Sequence, residues 1–133
     1  TSTNYWWGDE YIQGIDHCDR DLGGCPEGTE ISKPGPAGRF KANSFGLFDV
    51  TSNLLEWVLD CYCSDHRRAT NTMEARLDGN CGEKIFKGSS WLTAQPYVHI
   101  FTREGINSDY KSREIGFRVL REIKDPQNSV AQD

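Results

Sequence analysis

Apolar residues gather in a few short runs separated by long polar stretches. The densest run, Phe45-Gly46-Leu47-Phe48-Asp49-Val50 followed by Leu54-Leu55-Glu56-Trp57-Val58-Leu59, is broken only by Thr51-Ser52-Asn53 and predicts a strand, a turn and a second strand. Ile85-Phe86-Lys87 leads into Gly88-Ser89-Ser90-Trp91, Tyr97 to Phe101 predicts another short strand, and Ile115 to Leu120 a closing one. Near the start, Tyr5, Trp6 and Trp7 run into Gly8-Asp9, the pattern of an aromatic anchor ending in a turn. From Gly14 to Asn43 the residues Gly23-Gly24, Pro26, Gly28, Pro34-Gly35-Pro36 and Gly38 break every period, so a loop is expected. A second polar loop is expected over 62–83, with Arg67-Arg68 and Asp78-Gly79-Asn80 as turn material. No amphipathic helix of ordinary length is visible, and the pattern predicts a domain over 1–124 with a frayed tail at 125–133. Short strands in long loops point to a β-rich, loop-rich domain whose surface loops carry the function.

A chain of 133 residues suits one domain rather than two. Its net charge of −5, with 15 basic and 20 acidic residues dispersed, offers no phosphate-binding surface and argues against nucleic acid. No window approaches the roughly 20 apolar residues of a membrane span. The opening Thr-Ser-Thr-Asn-Tyr lacks a leader, so an exported chain would already be trimmed. Five cysteines in two local groups favour an oxidising compartment: periplasm, cell surface or medium. The odd count leaves one sulfur unpaired or paired outside the chain; the pairing expected here is Cys18 with Cys25 and Cys61 with Cys81, leaving Cys63. Each bridge would staple a loop, a stabilisation of roughly 2–4 kcal/mol. Cys-x6-Cys and Cys-x-Cys are not zinc spacings, although His17 and His66 lie nearby. Cys61-Tyr62-Cys63 also has the form of a redox pair, but structural bridging is the heavier reading.

Three landmarks stand in order: Trp7-Gly8-Asp9-Glu10; Asn43-Ser44-Phe45-Gly46-Leu47-Phe48-Asp49 through Asn53-Leu54-Leu55-Glu56-Trp57; and Lys87-Gly88-Ser89-Ser90-Trp91 through Arg103 to Gly116-Phe117-Arg118. Together they resemble the sulfatase-modifying-factor family, which includes the formylglycine-generating enzyme, over Tyr5 to Arg121. The resemblance implies an α+β, loop-rich variant of the C-type-lectin fold. The family's opening half would precede Tyr5, so the chain looks like the C-terminal part of a domain and is expected to need that N-terminal half, or a partner chain, to be complete.

Oxidising members of the family bind copper(I) through two cysteines at the second and seventh positions after the aromatic residue of the Gly-Ser-aromatic landmark. Those positions are Thr93 and Val98, which supply no soft sulfur, so copper and formylglycine generation are not expected. The family's first tryptophan before the Glu-Trp pair is Leu55, which puts the usual groove in doubt. Asp49, Asn53 and Glu56 are hard oxygen donors around one turn, a pattern suited to calcium. The resemblance places that ion on the Asp49 side chain, the Ser52 and Leu54 carbonyls and the Glu56 carboxylate; the competing reading pairs Glu56 with Arg118. By the same resemblance Arg103 reaches the groove floor, whereas Arg118 is read as closing an internal ion pair.

The expected recognition surface draws on the segments Leu92–His99 and Glu104–Arg113, with Trp91, Thr93, Gln95, Tyr97, His99, Arg103, Asn107 and Tyr110 as its contact residues. His99 alone is no metal site, and Ser90, His99 and Asp109 lack the glycine frame of a nucleophile elbow. The leading expectation is a non-catalytic binding or scaffold module of a bacterial exported protein, a pseudoenzyme that presents this surface to a protein or glycan. The rivals are a cysteine-independent oxidative tailoring enzyme, like the one in pyoverdine maturation, with Ser90, Tyr97, His99 and Arg103 in its pocket, and a variable ligand-display domain.

Overall fold

The structure is a computed structural model and describes residues 3–12, 14–16, 33–64, 74–94 and 97–121. Four strands, β1 (Leu55–Tyr62), β2 (Asn80–Lys87), β3 (Arg103–Asn107) and β4 (Ile115–Gly116), form one sheet in the order β3-β2-β1-β4. β2 runs antiparallel to both β1 and β3, and β4 runs parallel to β1. Among the described residues the regular elements are strands, so the helical part of the expected α+β class is not represented there.

The apolar run from Leu54 to Leu59 does form a strand, and its register is set by Trp57 opposite Phe86, whose rings meet edge to face at 6.2 Å. The ladder is then irregular. Between Trp57↔Phe86 and Cys61↔Lys84, β1 advances four residues while β2 advances two; from there to Tyr62↔Asn80, β2 advances four while β1 advances one. Such bulges re-aim side chains. The ring of Tyr62 lies over Gly105 of β3, where an added Cβ would stand 2.0 Å from a ring carbon, so glycine is required for that close approach.

Three sequence expectations are corrected. Residues 45–50 are not a strand: Asn43 accepts the Phe45 and Leu47 amides on its side-chain oxygen, and its backbone closes with Leu47 and Gly46, so a local turn takes the donors that a ladder would need. Tyr97 to Phe101 joins no strand of the sheet; the Thr102 amide donates to the His99 carbonyl and closes a tight turn there. The closing strand stops at Gly116, because Arg118 is drawn away to other partners described below. Conversely, β2 begins within the expected turn at Asn80, and β3 overlaps the Glu104–Arg113 segment read as a recognition loop.

Among the described residues the buried apolar set is Tyr5, Cys61, Ile85, Phe86 and Val98. Tyr5 closes a tight bridge with Gly8 and stacks on Trp7 at 4.9 Å, and the Asn4 carbonyl accepts the Ile100 amide, which ties the aromatic start to the Val98 turn. Small polar side chains, Thr51, Ser52, Ser89 and Ser90, are buried as deeply as the apolar ones. Buried hydroxyls need hydrogen-bond partners; those of Thr51, Ser52 and Ser90 have them and that of Ser89 does not, so the organising chemistry lies with the first three.

Candidate functional site

The turn before β1 is built around a carboxylate that the sequence pattern does not reveal. Asp16 is fully buried; one of its oxygens accepts the Thr51 amide at 3.0 Å, the Trp6 indole N–H at 2.9 Å and the Thr51 hydroxyl, and the other accepts the Ser52 hydroxyl at 3.0 Å. Four donors from three sites therefore converge on one side chain 35 residues upstream of the turn. The turn also places Asp49 and Asn53 at positive φ, 53° and 65°, where Asp and Asn are the side chains best tolerated after glycine. Asn53 exchanges hydrogen bonds with the Gly35 backbone, and its carbonyl accepts the Trp91 amide. The turn is thus tied to the 33–38 segment on one side and the Gly88–Trp91 landmark on the other.

An open groove of about 570 Å³ begins at this turn, with Phe48, Leu54 and Phe117 as apolar walls and Asp49, Glu56 and Arg118 at its polar end. Arg118 grips Glu56 with two hydrogen bonds of 2.5 Å, and it also donates to the Phe48 carbonyl at 3.1 Å. A bidentate fork of this kind is the strong form of an ion pair and holds the guanidinium charged. Asp49 accepts the Gly38 amide at 2.8 Å on one carboxylate oxygen, while the other is buried without a hydrogen-bond partner. Burial raises the pKa of the Asp49 carboxyl above its ordinary value; the neighbouring Asp16 and Glu56 charges add to this, and the Gly38 amide and Arg118 oppose it.

Of the four expected calcium ligands, Asp49 therefore has an unused oxygen, whereas both Glu56 oxygens face a guanidinium. The Ser52 carbonyl accepts the Leu54 amide at 2.8 Å. Asp49 fits a cation; Glu56 fits one only by giving up Arg118.

The expected recognition residues do not converge on one pocket. Trp91 lies 5.0 Å from the Arg113 guanidinium, a cation–π contact, and its indole N–H is buried without a hydrogen-bond partner. Ser90 is fully buried and donates to Glu114 at 2.8 Å, while the Thr93 hydroxyl accepts the Ser90 amide at 2.9 Å. His99 stacks on Phe101 at 4.9 Å and meets the Tyr5 ring at 5.7 Å. Arg103 donates to the Cys63 carbonyl at 3.0 Å and stands 6.0 Å over the Tyr62 ring. Tyr97 and Tyr110 are exposed, and Asn107 ends β3 by accepting the Asp109 amide at 2.8 Å and the Tyr110 amide on its carbonyl. Gln95 lies outside the described residues. At the two positions where the sequence resemblance would call for a cysteine pair, Thr93 caps Ser90 and Val98 is core.

Cys61 and Cys81 form a disulfide across β1 and β2, the pairing expected from the sequence, and Cys63 is not part of it. Cys18 and Cys25 lie outside the described residues, as do His17 and His66. Among the described residues no helix is long and apolar enough to cross a membrane. Sequence reasoning missed Asp16, a lone acid inside a Gly-Pro-rich stretch, and Glu114, whose carboxylate holds Ser90 and whose carbonyl accepts the Leu55 amide.

Comparison with known proteins bears on this arrangement directly. The chain is 31% identical over 96 residues to the formylglycine-generating enzyme of Mycobacterium tuberculosis, covering 64% of this chain and 32% of that protein. It is 29% identical over 90 residues to the formylglycine-generating enzyme of Thermomonospora curvata, covering 62% of this chain and 29% of that one. The chain thus spans about a third of the length of these curated relatives. Among solved structures, PvdO from Pseudomonas aeruginosa superposes with a TM-score of 0.68 at 24% identity over 83% of this chain and 40% of its own. Treponema denticola variable protein 1 gives 0.52 at 25% identity over 65% of this chain and 31% of its own. Residues 1–123 match the profile of the sulfatase-modifying factor enzyme 1-like domain, and the chain belongs to that family.

Proposed function

We propose that the chain is the C-terminal portion of a C-type-lectin-like, formylglycine-enzyme-like domain that serves as a non-catalytic binding or scaffold module in an exported bacterial protein. The observation that carries this reading is the pair Thr93 and Val98: a hydroxyl engaged with the Ser90 amide and a buried isopropyl group stand where copper ligands would be needed. Against a shared pocket of Ser90, Tyr97, His99 and Arg103 weighs the fact that Ser90, His99 and Arg103 are each engaged with different partners. The outward-facing Tyr97, Asn107 and Tyr110 support a recognition surface for a protein or glycan. The cross-strand disulfide supports export.

Two further elements belong to the proposal. A structural calcium ion would be held by the Asp49 side chain with the Ser52 and Leu54 carbonyls, and by Glu56 once it releases Arg118; the buried unpartnered Asp49 oxygen supports it. A preceding segment of the same domain covers the apolar residues Phe45, Phe117, Val119 and Leu120, each more than three-quarters exposed. The deciding assay supplies the protein with copper(I), dioxygen and a thiol-bearing peptide. No aldehyde product above the protein-free control is expected; peptide aldehyde formed in proportion to protein would overturn the reading.

A further inference from the structure

The two sulfurs of the Cys61–Cys81 bridge sit in opposite surroundings. Cys61 is fully buried, and the ammonium of Lys84 stands 3.4 Å from its sulfur, held there by a 2.8 Å hydrogen bond to the Leu59 carbonyl. Cys81 is exposed at the start of β2, and its sulfur faces the Leu77 carbonyl oxygen at 3.4 Å. The bulged register brings this about: Lys84 pairs with Cys61 in the ladder, while Cys81 belongs to the four-residue excursion of β2 beside it. A fixed cation stabilises a thiolate, and a carbonyl dipole pointing its oxygen at a sulfur disfavours one. The bridge is therefore polarised: negative charge is welcome on Cys61 and unwelcome on Cys81.

From this geometry we infer that the bridge is a directional thiol-exchange site, at which a low-molecular-weight thiol attacks Cys81 and expels Cys61. The attacking thiol first loses its proton to solvent. Its thiolate forms a new S–S bond to the Cys81 sulfur, the Cys81–Cys61 bond breaks, and the electron pair leaves on the Cys61 sulfur beside Lys84. The external sulfur is oxidised, Cys61 is reduced to the thiolate, and Cys81 carries a mixed disulfide. Exchange is faster when the leaving thiol has the lower pKa and when the attacked sulfur is accessible, and both conditions select the same direction here. The inference is independent of the proposed binding role, since it rests on β1 and β2 alone.

The probe is reduced glutathione added to the intact protein, with alkylation at timed intervals and mapping of the peptides. Trypsin releases Leu77–Lys84, in which Cys81 is the only cysteine, so an adduct there is assigned by peptide mass; Cys61 and Cys63 share the peptide 42–67 and are told apart by fragment-ion sequencing. The glutathione adduct is expected on Cys81 and the newly alkylated thiol on Cys61. Lys84→Gln, which keeps a donor for the Leu59 carbonyl but removes the charge, should slow the exchange by about three- to tenfold, and Lys84→Arg should restore most of the rate. Adduct forming mainly on Cys61 in the unmodified protein would overturn the inference. So would an unchanged rate in Lys84→Gln with a melting midpoint equal to that of the parent.

Discussion

The turn at 51–53 and the segment at 117–120 reverse the ordinary rule of burial. Thr51 and Ser52 are polar and almost wholly buried, whereas Phe117, Val119 and Leu120 are apolar and 76–86% exposed. Residue type does not decide which of the two is inside; available partners do. The turn has Asp16, whose two oxygens collect the Thr51 amide, both hydroxyls and the Trp6 indole. The 117–120 segment follows a two-residue edge strand, and only Arg118 among its members is tied down, by Glu56 and the Phe48 carbonyl. The polar site is self-contained within this chain, while the apolar residues of 117–120 face mostly solvent in it.

The sharpest way to break the polar half of that contrast is to remove its organiser. Asp16→Ala leaves the Thr51 amide, two hydroxyls and the indole N–H without their acceptor, and each buried donor so stranded costs about 1–3 kcal/mol before relaxation and water recover part of it. A net loss of about 3–4 kcal/mol is expected, read from the urea midpoint. A loss below about 1 kcal/mol would mean that the turn stands without Asp16 and that the contrast is not one of partners.

Asp49 at the edge of the same turn gives a smaller effect that distinguishes a cation site from a merely strained carboxylate. Asn is well suited to the positive φ at this position, so Asp49→Asn changes charge with little backbone cost. In chelator, the variant should melt at or above the parent, because a buried carboxylate oxygen without a donor is no longer ionised. In calcium at a hundred times its dissociation constant the parent should gain about 2.7 kcal/mol, and the variant distinctly less. Equal calcium shifts in the two proteins would remove calcium from Asp49.

The parts legible in the sequence are those whose signals are local or chemically singular. Strand β1 follows from the run Leu54 to Leu59, the Cys61–Cys81 bridge from the cysteine grouping, and the family from its three landmarks. The competing reading of Glu56 as the partner of Arg118 was likewise available from residue types alone. What escaped depends on competition or distance. Phe45 to Val50 has the composition of a strand, but Asn43 captures its amides first. β3 reads as Arg-Glu-Gly-Ile-Asn, too polar to announce itself, and exists because β2 supplies a ladder and Gly105 makes room for Tyr62. Asp16 acts across 35 residues, and nothing in its own neighbourhood marks it.

The smallest effect is the most telling for the apolar half. Phe117→Ser combined with Leu120→Ser removes two large side chains that meet mostly solvent in this chain, so the urea midpoint should move by less than about 0.5 kcal/mol. Self-association, followed by sedimentation at rising concentration, should fall at the same time, because exposed apolar patches are sticky. If, as proposed, a preceding segment covers the face in a longer polypeptide, the same pair should cost several times more there, on the order of 3 kcal/mol or above, since burial of each side chain is worth about 1.5–3 kcal/mol. If the short chain loses as much as the long one, Phe117 and Leu120 already pack within it and no covering segment is needed. If both lose almost nothing, the face is open in the whole protein, and its apolar residues then belong to the recognition surface rather than to a seam between the two parts of a domain.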